Sequence, residues 1–450
     1  MVRVTDMTHG RPIRLILLFS LPLMLGSVFQ QLYTIVDTII IGRGVGMQAL
    51  ASIGAADWIN WLVLWGLQGF TQGFAILAAQ EFGAGAYDRL RRVLAMIVKL
   101  SCWFGIAVTI ISLLLVRPLL TLLHTDPAVF GGAQTYLYVQ FGGSLIIIAY
   151  NMAAAVLRCL GDSRTPLFAI IAASFANIAL DLLFVMGFGW GIFGASFATV
   201  LAQLIAFLLC LRSLRRLPFV QLTKADWKTD PAILLHLCRL GIPTGLQMSM
   251  ITLGGMVLQS VLNGFGVVFV AGYTAANKLY GILESASVAF GYAMTAYMGQ
   301  NRGARNAARI DAGIRAVLVL SAEFTAAIVT AMLLAGKPLL GLFLSTEEAG
   351  AADALAVAYQ YLMVLMAFLF ALFMLQAYRS SLQGLGEMTV PTLSGFAEML
   401  MRMGAALVLP TFIGRSGVFF AEGAAWVCAA ALNLVWYYMR IGKIKREMLQ

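Results

Sequence analysis

The sequence predicts an all-α polytopic membrane protein: twelve transmembrane helices, arranged as two six-helix bundles related by a parallel internal repeat. Three observations lead there. The 450-residue chain is 61% hydrophobic and only 11% charged. Apolar runs of about 20 residues or more recur along its whole length. Five short motifs also reappear, in the same order, 220 to 225 residues later. The composition excludes a soluble globular reading, and a β-barrel would show short alternating segments instead.

Twelve spans follow from the apolar runs, at 13–41, 47–80, 93–123, 128–157, 164–188, 190–212, 232–263, 266–299, 310–343, 354–384, 389–413 and 417–441. Several exceed the roughly 20 residues needed to cross a bilayer, so they tilt or protrude. Pro22 falls inside the first span, removes a backbone hydrogen bond there, and marks a hinge. No cleavable signal is expected, because the start MVRVTDMTHGRPIR is polar and the run after it is too long. Arg212 to Pro231 is the longest polar stretch and divides the chain near its midpoint. The expected organisation is an N-terminal six-helix bundle with a cation site (1–212), a cytoplasmic linker (213–231) and a C-terminal six-helix bundle (232–450).

The net charge of +10 suggests nucleic acid until its distribution is mapped. With the N-terminus inside, the inner loops and ends, from Arg3 through Arg379 to Arg446, hold 24 of the 30 Lys and Arg. The outer loops hold four: Arg43, Arg117, Lys337 and Arg415. That bias is the positive-inside rule. It places a multi-pass protein in the plasma membrane with both termini cytoplasmic and no nucleic-acid partner. The five cysteines are odd in number and dispersed, with no metal spacing and no disulfide framework. No HExxH, GxSxG or Walker loop occurs, which argues against an enzyme and against ATP use.

The repeat is read from five matches. Leu21-Pro22 corresponds to Ile242-Pro243, and Gly44-Val45-Gly46 to Gly264-Phe265-Gly266. Ala51 to Ala56 corresponds to Ala271 to Ala276, and Gln80 with Gly83-Ala84 to Gln300 with Gly303-Ala304. Leu160-Gly161-Asp162, followed by Pro166, corresponds to Leu385-Gly386-Glu387, followed by Pro391. Six spans per half is an even number, so both halves start from the same side of the membrane.

Against this apolar frame a few polar residues stand out. Asp37 lies in the run Leu21 to Gly42, where a carboxylate costs roughly 2.5–3.5 kcal/mol. Asp181 and, one turn earlier, Asn177 repeat the oddity in the fifth span, on one helix face. At ~1.5 Å per residue both acids and Thr199 fall in the outer half of the bilayer, so they can share a site. Two carboxylates, an amide and a hydroxyl are hard oxygen ligands for Na⁺, with Asp37, Asn177 and Asp181 as the set. The same two acids, desolvated and close, can instead hold a proton. The plainer reading is a brace between helices, against Arg43 or Asp57; membrane carboxylates favour function over it. The matching positions in the second half are Leu258, Arg402 and Ala406, so the frame repeats and the site does not. Glu398 and Arg402, at i and i+4, read as a mutually satisfied pair. Glu422, near an outer helix end, reads as solvated; Glu284, in the eighth span, reads equally as a cargo contact or a structural residue, and Glu323 has no assigned role. Gln30 and Tyr33 share the helix face of Asp37.

These residues, the Gly-Ala inner loops and the LGD…P and LGE…P turns resemble the multidrug and toxic compound extrusion (MATE) family. The first and fifth spans resemble its DinF-type branch. The resemblance implies a cation-coupled antiporter that exports amphiphilic organic or drug-like compounds by alternating access, in exchange for H⁺ or Na⁺. It implies a monomer in the lipid bilayer, with no cofactor besides the coupling ion. It also implies that Gln30, Tyr33, Tyr136, Asn151 and Ser174 line a cargo path. As bare residues these equally suit interhelical hydrogen bonds. NorM-type members carry acids in spans 232–263 and 354–384, which hold none here. A flippase for lipid-linked oligosaccharides fits the same topology but calls for an arginine-lined cavity, and the basic residues deep in the membrane are few, Lys278 and Arg402. A membrane-embedded enzyme is the rival of a different class.

Overall fold

The computed structural model describes residues 4–343 and 350–449, and these are helical with no strand among them. In hydrocarbon every backbone N–H and C=O must be paired within its own segment, which helices achieve. Arg3, counted above with the inner basic residues, lies outside the described residues.

In chain order the helices are α1 (Pro12–Gly44), α2 (Met47–Gly83), α3 (Tyr87–Leu122), α4 (Pro127–Gly142), α5 (Ser144–Cys159) and α6 (Arg164–Asp181). After α6 a π-helical turn covers Leu182–Gly187, and α7 runs over Gly191–Arg215. Two short 3₁₀ turns, Pro218–Val220 and Lys224–Trp227, precede α8 (Pro231–Asn263). Then come α9 (Val267–Gly303), α10 (Ala307–Gly341), α11 (Ala351–Gly384), α12 (Thr389–Ile413), a 3₁₀ turn at Arg415–Phe419 and α13 (Phe420–Leu449).

Ten helices among the described residues are long and apolar enough to cross a membrane, and the pair α4 and α5 makes eleven. That pair was expected as one straight span, 128–157; it is bent by 50° at Gly143. A Cβ on Gly143 would meet Val200 Cγ2 at 2.5 Å, so the elbow seats bare backbone against α7. Helix α9 is 37 residues long but falls short in apolarity.

The elements recur along the chain. Helices α1 and α8 have 33 residues each, and α2 and α9 have 37 each. Pro118 lies inside α3 and Pro338 inside α10. Gly161 and Gly386 both sit at positive φ, +89° and +74°, in the turns after α5 and α11. At Gly161 only glycine fits: a Cβ would lie 2.1 Å from the Thr5 carbonyl oxygen.

The chain forms two compact units that do not follow the halves 1–212 and 232–450. The first comprises Met1–Asp6 and Leu21–Gly245, the second Met7–Ser20 and Leu246–Gln450. The boundary therefore cuts α1 between Ser20 and Leu21, beside Pro22, and α8 between Gly245 and Leu246, just beyond Pro243.

Within the first unit, α2 packs on α3, α4 and α5, while α7 packs on α4, α5 and α6. The start of α8 joins them through glycine. A Cβ on Gly73 would meet Leu240 O and Gly241 Cα, both at 2.6 Å. The linker is bound along α3 rather than loose. Lys99 donates to Trp227 O (2.5 Å) and Thr229 Oγ1 (2.9 Å), and Phe219 packs against Phe82 and Tyr87. Asp226 Oδ2 accepts from the N–H and the hydroxyl of Thr223, both at 2.7 Å, and faces Arg91. Burial acts to raise the Asp226 pKa, but those hydrogen bonds and Arg91 and Arg92 outweigh it and hold it below the usual range.

In the second unit α11 packs on α9, α10 and α13, and α12 packs on α13. The repeated Gln motif explains how the N-terminal segment docks there. Met7 is fully buried; its N–H donates to Gln300 Oε1 (2.8 Å), and its carbonyl accepts from Asn301 Nδ2 (3.1 Å) and Arg309 Nη2 (2.9 Å).

Candidate cation site and adjoining pocket

The acid site forms inside the first unit, where α6 ends. Asp181 is the last α-helical residue, and the helix then widens into the π turn Leu182–Gly187. Such single π turns are rare. Gly187 ends the turn and Gly189 and Gly191 follow it closely, while Phe184, Phe188 and Trp190 pack together there, with Phe184 and Trp190 stacked at 5.0 Å. The end of α1 fits against this turn. A Cβ on Gly44 would meet Met186 Sδ at 2.6 Å and Val185 Cγ1 at 2.9 Å. Ile40, Ile41, Ala49, Val185 and Ala195 form an apolar cluster, onto which Val36 and Ile178 pack. Those last two are the chain neighbours of Asp37 and Asn177. The apolar seal thus fixes the approach of the polar residues.

The carboxyl groups of Asp37 and Asp181 lie side by side. Asp181 is 0% exposed and Asn177 1%. Both Asp181 oxygens, both polar atoms of Asn177 and Asp37 Oδ1 are buried with no hydrogen-bond partner among the described residues. An unmet buried polar group costs about 1–3 kcal/mol. Four of these atoms are oxygens, and so many unmet acceptors in one place call for a proton or a small cation. No cluster of three His, Cys, Asp or Glu occurs among the described residues, so the donors are two carboxylates and an amide. A proton or Na⁺ suits these oxygens.

One turn earlier on α1 and α6 lies a small pocket, partly open to solvent. Gln30, Tyr33, Ser174, Asn177 and Thr199 all line it, five of the residues singled out from sequence. Ser174 donates its hydroxyl proton to Ile170 O (2.8 Å) and Thr199 to Ala195 O (3.2 Å), which leaves oxygen lone pairs for a ligand. Tyr33 lines the pocket and lies near both acids. Tyr136 and Asn151 lie outside this lining. Tyr136 accepts from Asn60 Nδ2 (3.2 Å) and packs on the Ala56–Leu137–Phe141 cluster, while Asn151 donates to Ile147 O (2.9 Å). Tyr150 and Gln203 line the pocket and were not anticipated. Gln203 stands one turn beyond Thr199, a spacing that would have found it.

The second unit carries charge of another kind. Glu398 pairs with Arg402 (3.2 Å) as expected, and also with Arg379 (2.6 Å). Arg379 is therefore a buried partner, 3% exposed, rather than a loop cation. Glu422 was expected to be solvated; instead it pairs with Arg402 at 2.7 Å, with its side chain 16% exposed. The packing of α13 on α12 brings it inward.

The MatE family profile matches residues 22–183 and again residues 243–408. The chain belongs to the MatE family. It is a secondary active efflux transporter of organic compounds, not an enzyme, and the ion it exchanges, H⁺ or Na⁺, is a substrate rather than a resident cofactor. The MatE matches start 221 residues apart (22 and 243) and end 225 apart (183 and 408), the drift seen in the motifs. The chain is similar to the probable multidrug resistance protein YpnP of Bacillus subtilis, 31% identical over 100% of this chain and 99% of the relative. It resembles a MATE transporter crystallised in complex with MaL6, at a TM-score of 0.91 and 24% identity, covering 99% of this chain and 100% of the other. An outward-facing multidrug resistance MATE transporter of the MOP superfamily gives a TM-score of 0.90 at 24% identity, with 99% of each chain covered. At that identity the likeness concerns the fold.

Proposed function

We propose that this transporter exports amphiphilic, drug-like compounds by alternating access, driven by H⁺ or Na⁺ bound between Asp37 and Asp181. The observation that carries the reading is the set of orphaned, buried polar atoms on Asp37, Asn177 and Asp181. Ionised and unfilled, the two carboxylates repel in a low dielectric and favour separated helices. A bound proton or Na⁺ removes the repulsion and lets α1 pack against α6. Thr199 and Asn177 extend the oxygen set toward the pocket that takes cargo, so ion and cargo compete for linked space. Bending is assigned to Pro22, where α1 lacks a backbone hydrogen bond. A membrane potential supplies about 2.3 kcal/mol per charge per 100 mV, enough to bias such a two-state element.

In this reading α9 is the twelfth span. The two sets of six spans are a parallel repeat, with the 213–231 linker and both termini in the cytoplasm, and the protein works as a monomer. The acids of the first and fifth spans, with none in 232–263 and 354–384, support the DinF-type branch. Cargo efflux from proteoliposomes, under a Na⁺ or an H⁺ gradient imposed singly, is the test. Efflux driven by one of them is expected; efflux indifferent to both would sink the coupling.

A further inference from the structure

The second unit contains a cation of its own at the position that answers to the acid site. The offset of 225 residues between the ends of the two MatE matches, carried from Asn177 in α6, reaches Arg402 in α12. Arg402 is 6% exposed. Its Nη2 meets Glu398 Oε1 (3.2 Å) and Glu422 Oε2 (2.7 Å), and its Nη1 donates to the Ile251 carbonyl of α8 at 3.0 Å. Two carboxylates and a carbonyl oxygen are the ligand set of a monovalent cation site, and a guanidinium fills it. Arg379 holds the far oxygen of Glu398 at 2.6 Å, so two arginines face two glutamates. The other titratable groups facing this cluster are Glu284, Tyr273 and Tyr280 from α9 and Tyr361 from α11.

We infer that Arg402 is a tethered cation that fills, in the second unit, the place of an exchangeable one. The inference rests on the reading of Asp37 and Asp181 as the coupling site. A side chain cannot leave, so the second unit keeps one charge state through the transport cycle. Coupling then belongs to the first unit alone. Removing the guanidinium should expose a latent site for a small monovalent cation, with Glu422 and Glu398 as its acids.

The test uses the full-length purified protein and three probes: millimolar guanidinium, Na⁺ and pH. The wild type and Asp181→Asn should show no saturable response of Tm to guanidinium. Arg402→Ala should lose several degrees and regain them with guanidinium, saturably. Asp181→Asn/Arg402→Ala should regain a dependence on Na⁺ or pH that Asp181→Asn lacks, because a ligand that binds only the folded state raises Tm. In the Asp181→Asn background, Arg402→Lys, which keeps the tether, and the charge-balanced Arg402→Ala/Glu422→Gln should stay indifferent to all three. A folded Arg402→Ala that ignores guanidinium, together with a folded Asp181→Asn/Arg402→Ala that ignores all three probes, would overturn the inference. So would an Arg402→Ala that no cation allows to fold while Arg402→Ala/Glu422→Gln folds, or an Arg402→Lys that behaves like Arg402→Ala. If Asp181→Asn instead keeps the ion response of the wild type, the first-unit site has failed, and Arg402→Ala still judges this inference separately.

Discussion

Asp181 closes α6 with its carboxyl beside that of Asp37 on α1, and neither Asp181 oxygen has a protein partner among the described residues. An amide in place of either acid keeps the shape and removes the charge. Asp37→Asn and Asp181→Asn should each reduce gradient-driven efflux to the level of empty vesicles, with normal expression and Tm. Vesicle transport and a thermal melt decide it; retained coupling in either variant would exclude that acid.

Tyr150 and Gln203 line the pocket and lie outside the acid pair. Tyr150→Phe and Gln203→Ala should raise the KM for cargo about tenfold or less, the worth of one hydrogen bond of about 0.5–1.5 kcal/mol. Ion-to-cargo stoichiometry should not change. A change in stoichiometry with KM unaltered would move these residues from cargo to ion.

Pro22 stands beside the point where α1 passes from one compact unit to the other. Proline inside a helix costs about 3 kcal/mol, so Pro22→Ala should stiffen and stabilise α1. Turnover should fall several-fold with KM nearly unchanged. Spin labels on α1 and α6 should also show a narrower range of distances across a pH and Na⁺ titration. Unaltered turnover would remove the hinge from Pro22.

Asp226 ties the linker to its own turn, and its pKa is held below the usual range. A carboxyl with a depressed folded value stabilises the fold above the unfolded value of about 3.9, and that support is lost as pH falls through the folded value. Protection from hydrogen exchange at residues 216–231, relative to the intrinsic rate at each pH, should therefore be high and constant from pH 8 to about 5, then fall below about 4. In Asp226→Asn the linker should exchange faster at neutral pH and lose the acid transition. Parallel profiles for the two proteins would show that Asp226 does not fasten the linker.

The meeting of Asp37 with Asp181 was legible in the sequence because a buried charge is costly and because i, i+4 spacing assigns Asn177 and Asp181 to one face. Glu398 with Arg402 was legible for the same reason. Glu422 was not, since its partner lies on another helix and depends on how α13 rests on α12. Tyr150 was hidden because hydropathy does not tell which side of an apolar helix faces a pocket. The π turn after Asp181 was hidden because the hydrogen-bond pattern of a helix leaves no mark on its composition. The bend at Gly143 is visible once the Gly142-Gly143 pair is weighed against Val200, a contact known only from packing. The repeat motifs located the halves of the chain but not the compact units, which are set by contacts such as Gly73 on Gly241.

That exchange of segments constrains how the protein is made. Residues 7–20 leave the ribosome well before residues 246–450, which build the unit that receives them. The first unit, in turn, lacks its last segment until residue 245 has been synthesised. Neither unit is a contiguous stretch of gene, so neither can be cut out, shuffled or expressed by itself with its packing complete. The opening turns of α1 must wait in the membrane, their buried face unmet, while more than half of the chain is still being translated.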